Sequence, residues 1–137
     1  MHANMLPAVA ALVIGIPSGC AAYAASTSSK AAACWKQGTT IAIANCFASS
    51  GKEGDDKLNR LYGQIMTVLG PSDRQGLQKA QRLWISYRDA TCSAEKNLWD
   101  GGTGGNPAYL ACSDDETRHR LGYLQETYRL RLQKLKK

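Results

Sequence analysis

The chain has no C-x-x-C pair, and beyond residue 24 its only histidine is His119. Structural zinc needs four N or S ligands at characteristic spacings, so the cysteines are not a zinc framework. No stretch alternates apolar and polar residues in the way of a half-buried strand, which leaves an all-helical reading. Both the G-x-x-x-x-G-K-[ST] phosphate loop and the nucleophile elbow are missing. His119 stands between Arg118 and Arg120 with no orienting acid or nucleophile placed beside it, so the pattern of a hydrolytic triad is missing too. Ser86 and Ser93 are ordinary helix residues. Glu95 and Glu116 remain as a carboxylate pair of the kind used in glycoside chemistry, although Glu95 serves equally well as a structural partner for an arginine. The sequence therefore reads as a binding protein without catalytic, cofactor or metal residues.

The first 24 residues lack every charged side chain. Met5 to Ile16 is an apolar run interrupted by Pro7 and Gly15, too short to span a bilayer comfortably. Pro17-Ser18-Gly19 and the small triplet Ala22-Tyr23-Ala24 follow. This is the pattern of a secretory signal cut after Ala24, although its start offers His2 and no Lys or Arg. Cys20 allows an alternative, lipid attachment; Pro17, where an aliphatic residue is usual, counts against it. Cleavage after Ala24 leaves Cys34, Cys46, Cys92 and Cys112. An even set in a small exported domain reads as two disulfides. Residues 25–33, mostly Ala, Ser and Lys, read as a flexible lead-in, and 34–137 as one domain, a size that buries a single modest core.

Helical periodicity fills that domain. Ile41, Ala44, Cys46 and Ala48 mark a short first helix. Leu58, Leu61, Tyr62, Ile65 and Leu69 follow helical spacing on one face, with Ser50-to-Glu53 or Asp55 as the start and Gly70-Pro71 as the stop. Ser72-x-x-Gln75 is a second capping box, and Leu77, Ala80, Trp84, Tyr87, Thr91, Ala94 and Leu98 form a long stripe. Gly101 to Gly105 breaks the chain; Asn106-Pro107 restarts it as N-cap and first helical residue. Leu110, Thr117, Leu121, Leu124, Tyr128 and Leu135 then share a face. The expected fold is all-α: a small antiparallel bundle of three long helices and a short N-terminal one, stapled by two disulfides.

Cys92 and Cys112 lie ten residues either side of Gly102. A helical hairpin turning there brings them together and leaves Cys34 for Cys46, with two other connectivities formally open. The same register sets Arg88 near Glu116, Trp84 near Arg120, Tyr87 near Thr117 and Ala80 near Leu124. Trp84, Tyr87, Arg88, Glu116, Thr117 and Arg120 are thus expected along a structural seam.

The net charge is +6, from 17 basic and 11 acidic residues. A basic exported protein is drawn to anionic envelope surfaces rather than to nucleic acid, and the run Arg129 to Lys137 is the candidate surface for that.

Leu58-Asn59 with Tyr62, the stretch Ala80-Gln81-Arg82-Leu83-Trp84-Ile85-Ser86-Tyr87-Arg88-Asp89-Ala90-Thr91-Cys92, Glu95, and Cys112 followed by Thr117, Arg120 and Leu124 resemble the LprI-type lysozyme inhibitor family. The similarity runs from Cys34 to about Leu124. Ala42 departs from it, standing where similar proteins often carry Glu. The resemblance implies a small helical envelope protein with two disulfides, periplasmic or secreted, that blocks a peptidoglycan-cleaving enzyme. The target is then a protein, a lysozyme first of all; an immunity-type role against another toxin, or binding of an anionic envelope component, is the alternative. Animal lysozymes are usually basic, so long-range attraction to a basic inhibitor gives no help. A local acidic patch is needed, and Asp55-Asp56 and Asp114-Asp115-Glu116 are the clusters available. Asp114, Asp115 and Trp99, the last beside the glycine run, are the expected target contacts.

Overall fold

The structure, a computed structural model, describes residues 30–136, apart from the side chains of Lys134 and Lys136. The expected signal, with Cys20 and the cut after Ala24, lies outside the described residues. A short helix, α1, occupies 30–35, so the end of the expected lead-in is helical. Then come α2 (Thr40–Val68), α3 (Pro71–Asn97), α4 (Gly105–Thr127), α5 (Arg129–Leu132) and a 3-10 turn (Gln133–Lys136).

Helix α2 starts where Thr39 caps it, the hydroxyl accepting from the Ala42 amide at 3.1 Å. It is one continuous helix, not a short one followed by a long one. Ser50, Gly51 and Gly54 are weak helix formers and read as a boundary. In the fold they mark the place where α4 comes closest. Ser50 is buried and accepts a hydrogen bond from Arg118 instead of capping a helix. A Cβ on Gly54 would lie 3.3 Å from Thr117 Cγ2.

The other boundaries differ from expectation by a residue or two at the start and more at the end. Gly70 is the N-cap of α3 and Pro71 opens it, while Arg74 Nε donates to the Leu69 carbonyl at 2.8 Å. Gly104 rather than Asn106 precedes α4. The turn before it places Asp100 and Gly101 at φ 46° and 80°. Asp and Gly are among the residues that enter this left-handed region most readily. The last helix does not run on to Leu135, because Tyr128 leaves helical geometry and the chain resumes as α5.

Helix α4 packs against both neighbours, more extensively against α2 than α3. It is antiparallel to α3: Cys92 bonds Cys112, Arg88 meets Thr117 and Gln81 meets Arg120. It is parallel to α2: Ser50 meets Arg118, and Leu61 and Gln64 share a cleft with Gln125 and Arg129. The apolar core lies towards the α2–α3 connection, where Leu58, Leu61, Ile65 and Leu69 meet Leu77 and Leu124, flanked by Trp84, Leu121 and Tyr128. At the opposite end the disulfides Cys34–Cys46 and Cys92–Cys112 close segments of 12 and 20 residues. Each stabilises by about 3 kcal/mol in the chain-entropy treatment.

Helix α3 is rotated by about one residue from the expected register. Its inward face is Leu77, Gln81, Trp84, Arg88 and Cys92, whereas Ala80 and Tyr87 face solvent. Counting back from the disulfide in steps of four and three gives the observed face; the broader apolar stripe admitted both.

Gly54 offers a clean test of the α2–α4 approach. In Gly54→Ala the gain in helix propensity, about 1 kcal/mol, offsets the tight contact, and urea unfolding of the oxidised protein should give a nearly unchanged midpoint. Gly54→Leu should cost on the order of 2 kcal/mol or more by overpacking.

Candidate functional site

The sequence-predicted residues separate into a buried polar seam and an exposed acidic end. At the seam, the Arg88 guanidinium lies 5.1 Å from the Trp84 ring centroid, donates to Asp89 at 3.0 Å and to Thr117 Oγ1 at 3.4 Å, and stands 3.7 Å from Asp55. Thr117, only 1% exposed, donates in turn to Asp55 Oδ1 at 3.2 Å. Arg120 is 5.8 Å from the Trp84 ring centroid and 5.5 Å from that of Tyr123, and its Nε donates to Gln81 Oε1 at 3.0 Å. Burial holds the Arg120 pKa below its ordinary value. Trp84, Arg88, Thr117 and Arg120 therefore come together.

Two members of the expected seam do not join them. Tyr87 is 57% exposed. Glu116 faces a cleft, and Arg88 pairs with Asp55 and Asp89 instead. The shifted register explains both, because it turns Arg88 towards the junction of all three helices. Gln81, Asp89 and Asp55 are the seam residues that sequence reasoning missed. Gln81 was recoverable from its spacing to Cys92; Asp55 comes from α2 and has no such local signal.

Asp114 is a correction of a different kind. Expected as a target contact, it is 3% exposed. Its Oδ2 accepts from Arg118 at 2.8 Å, and the same guanidinium group donates to Ser50. Asp114 Oδ1 is buried without a hydrogen-bond partner among the described residues, near Gly54, whose Cβ would sit 3.8 Å away. Asp114 is thus engaged with Arg118, which reaches Ser50 on α2, and it borders surface clefts with little exposed area of its own. Its neighbour Asp115 is exposed, with its carboxylate 3.8 Å from His119 Nδ1.

Beside Asp115 a cleft of about 330 Å³ opens between α1 and α4, lined by Trp35, Phe47, Glu95, Asp115, Glu116 and the cation Arg118 among others. Its aromatic wall is an edge-to-face pair, Trp35 and Phe47, with ring centroids 5.1 Å apart. Disulfide Cys34–Cys46 keeps that wall in place. Lys30 donates to Glu53 at 2.6 Å and so ties α1 to α2, while Lys57 donates to the same carboxylate at 2.6 Å from within α2. The two ammonium groups hold the Glu53 carboxyl down at about 2, from an ordinary 4.5. The tie therefore persists as pH falls through the usual carboxylate range and is lost only near the lowered value. Carboxylates over an aromatic surface suit a cationic side chain of a partner.

Trp99 lies at the same end, in the turn before α4. It is 48% exposed, and Leu98 beside it 81%. Its ring rests on Gly104, where a Cβ would come within 2.2 Å of Cε3. Glycine is required there because the indole occupies the space of a side chain. Among the described residues no group of three His, Cys, Asp or Glu side chains is placed to hold a metal ion.

A three-helix body with a polar seam and two disulfides defines a small stapled helical domain. The chain belongs to the LprI family: the family model described as Lysozyme inhibitor LprI matches residues 21–124. No curated protein matches the chain, and no solved structure does.

The two adjacent acids should behave differently. Asp114→Ala leaves Arg118 without its carboxylate and should cost about 3 kcal/mol in denaturant unfolding. Asp115→Ala, at the surface, should stay within about 0.5 kcal/mol of wild type.

Proposed function

We propose that this protein is an exported, non-catalytic inhibitor that binds a lysozyme. The observation that carries this reading is the family match, which spans all of α1, α2 and α3 and reaches Leu124 in α4. Two disulfides suit an oxidising compartment, which together with the apolar segment at 1–24 supports a periplasmic or secreted location. No helix among the described residues is long and apolar enough to cross a membrane. Lipid attachment through Cys20 is the lesser alternative.

The distribution of acids bears on the objection that inhibitor and enzyme are both basic. Glu95 and Asp100 lie at and just after the end of α3, and Asp115 and Glu116 lie halfway along α4, with the cations Lys96 and Arg118 among them; the basic run that begins at Arg129 follows α4 in the sequence. These acids, with Trp35 in the cleft and Trp99 on the turn, support this face as the surface for a basic enzyme. Asp115 and Trp99 are the contacts proposed there, with Glu95 and Glu116 supporting. The same surface would serve an immunity-type protein against another cationic wall-cleaving toxin.

A cell-wall lysis assay tests the reading. Oxidised protein should inhibit an animal-type or a bacterial-type lysozyme stoichiometrically, and Glu95→Lys with Asp115→Lys should weaken inhibition about tenfold or more with little change in stability. Trp99→Ala should weaken it comparably if the turn takes part as a buried anchor. Absence of inhibition of both enzyme types would overturn the lysozyme reading.

A further inference from the structure

The residues after the family match have a character of their own. From Arg129 to Lys137 the sequence carries Arg129, Arg131, Lys134, Lys136 and Lys137 and no acid, so five of the six net positive charges belong to this tail. The match itself stops at residue 124. Regular helix gives out at Thr127, and α5 with the 3-10 turn leaves Leu130 68% and Leu135 51% exposed. Leu135 also lines a cleft of about 470 Å³ with Leu61, Leu132 and Arg129. The single ion pair of Arg129, to Glu126 at 3.5 Å, is solvent-exposed and readily exchanged.

We propose that this tail docks the protein on an anionic phospholipid surface, with Arg129 and Arg131 at the headgroups and Leu130 and Leu135 at the acyl boundary. Positive charge alone would suit any polyanion. Exposed leucines gain free energy only where there is an apolar phase to enter, and combining the two is how a peripheral segment holds a membrane without spanning it. The cleft takes its α4 lining from Ala111 to Arg118, before the tail, so docking through the tail and binding at the cleft use separate surfaces. The proposal does not depend on which enzyme, if any, the acidic end binds.

The test is co-sedimentation of the oxidised protein with vesicles of phosphatidylcholine, with and without phosphatidylglycerol, each variant in the same N-terminal form as wild type. Binding should require phosphatidylglycerol and weaken steeply with added salt. The variant Arg129→Gln/Arg131→Gln/Lys134→Gln/Lys136→Gln should lose about fivefold in partitioning per charge removed. Leu130→Ser/Leu135→Ser, which keeps every charge, should lose about tenfold. Equal sedimentation with both vesicle types, or none at low salt, overturns the proposal. So does a leucine variant that binds as wild type while soluble dextran sulfate competes, since the tail would then be a general polyanion site. Lysozyme inhibition in vesicle-free solution should be unchanged by either tail variant, which separates failure of this proposal from failure of the inhibitor reading.

Discussion

Arg88 joins three helices that share little apolar surface at its level. Its guanidinium stacks on Trp84 within α3, reaches the Thr117 hydroxyl on α4 and approaches Asp55 on α2, which Thr117 also binds. A guanidinium suits the position because it is planar and multiply donating, so one group can stack and donate in several directions at once. Its side chain is 18% exposed, and a cation that withdrawn from water is tolerated only when charge and hydrogen bonds compensate. Asp55 and Asp89 supply the charge and Thr117 the acceptor. A lysine there would keep the charge and lose the stack and the fork. The apolar core from Leu58 to Leu69 fixes one end of the bundle; this joint sets how α2 and α4 pass each other at the other, where Gly54 permits their approach.

Beyond the joint, the structure depends on covalent closure. The region around α1 has a small apolar content, essentially Cys34, Phe47 and the edge of Trp35. Burial of so few side chains would not hold α1 against its conformational entropy. The Cys34–Cys46 bond supplies most of the rest, and the exposed Lys30–Glu53 pair adds a little. The acidic cleft is thus built on a strap whose position depends on oxidation, which links the compartment implied by the cysteines to the integrity of the surface proposed for binding.

The fold class, the pairing of the cysteines and the extent of α3 were legible in the sequence, because apolar periodicity, a glycine break and symmetric cysteines act locally or through one hairpin. What was not legible required knowledge of a third element. The continuity of α2 through Ser50 and Gly54 is decided by the neighbouring α4, against the intrinsic preference of those residues. Asp114 reads as one of three consecutive surface acids, yet its position on α4 faces Ser50 and Gly54, and only the parallel course of α2 and α4 reveals that. Tyr87 reads as a core aromatic because a three-four stripe does not state its phase; the disulfide at Cys92 does. Among the proposed contacts, Trp99 and Asp115 were expected from sequence and stand exposed in the fold, whereas Trp35 was not expected, since it enters the cleft through α1 and a disulfide to α2.

The stretch from Gln81 to Cys92 that most strongly marks the family is largely consumed by the fold. Gln81 holds Arg120, Trp84 stacks with two arginines, Arg88 joins the helices, Asp89 supports Arg88 and Cys92 is in a disulfide. Side chains so engaged are poor candidates for direct recognition, because a partner would have to displace satisfied buried contacts. The motif therefore reports a scaffold, and the contacts proposed above lie outside it, on the turn carrying Trp99, at the cleft edged by Asp115, and on the basic tail beyond the family match. Two members with the same seam and different residues at those places would share this fold and need not share a target.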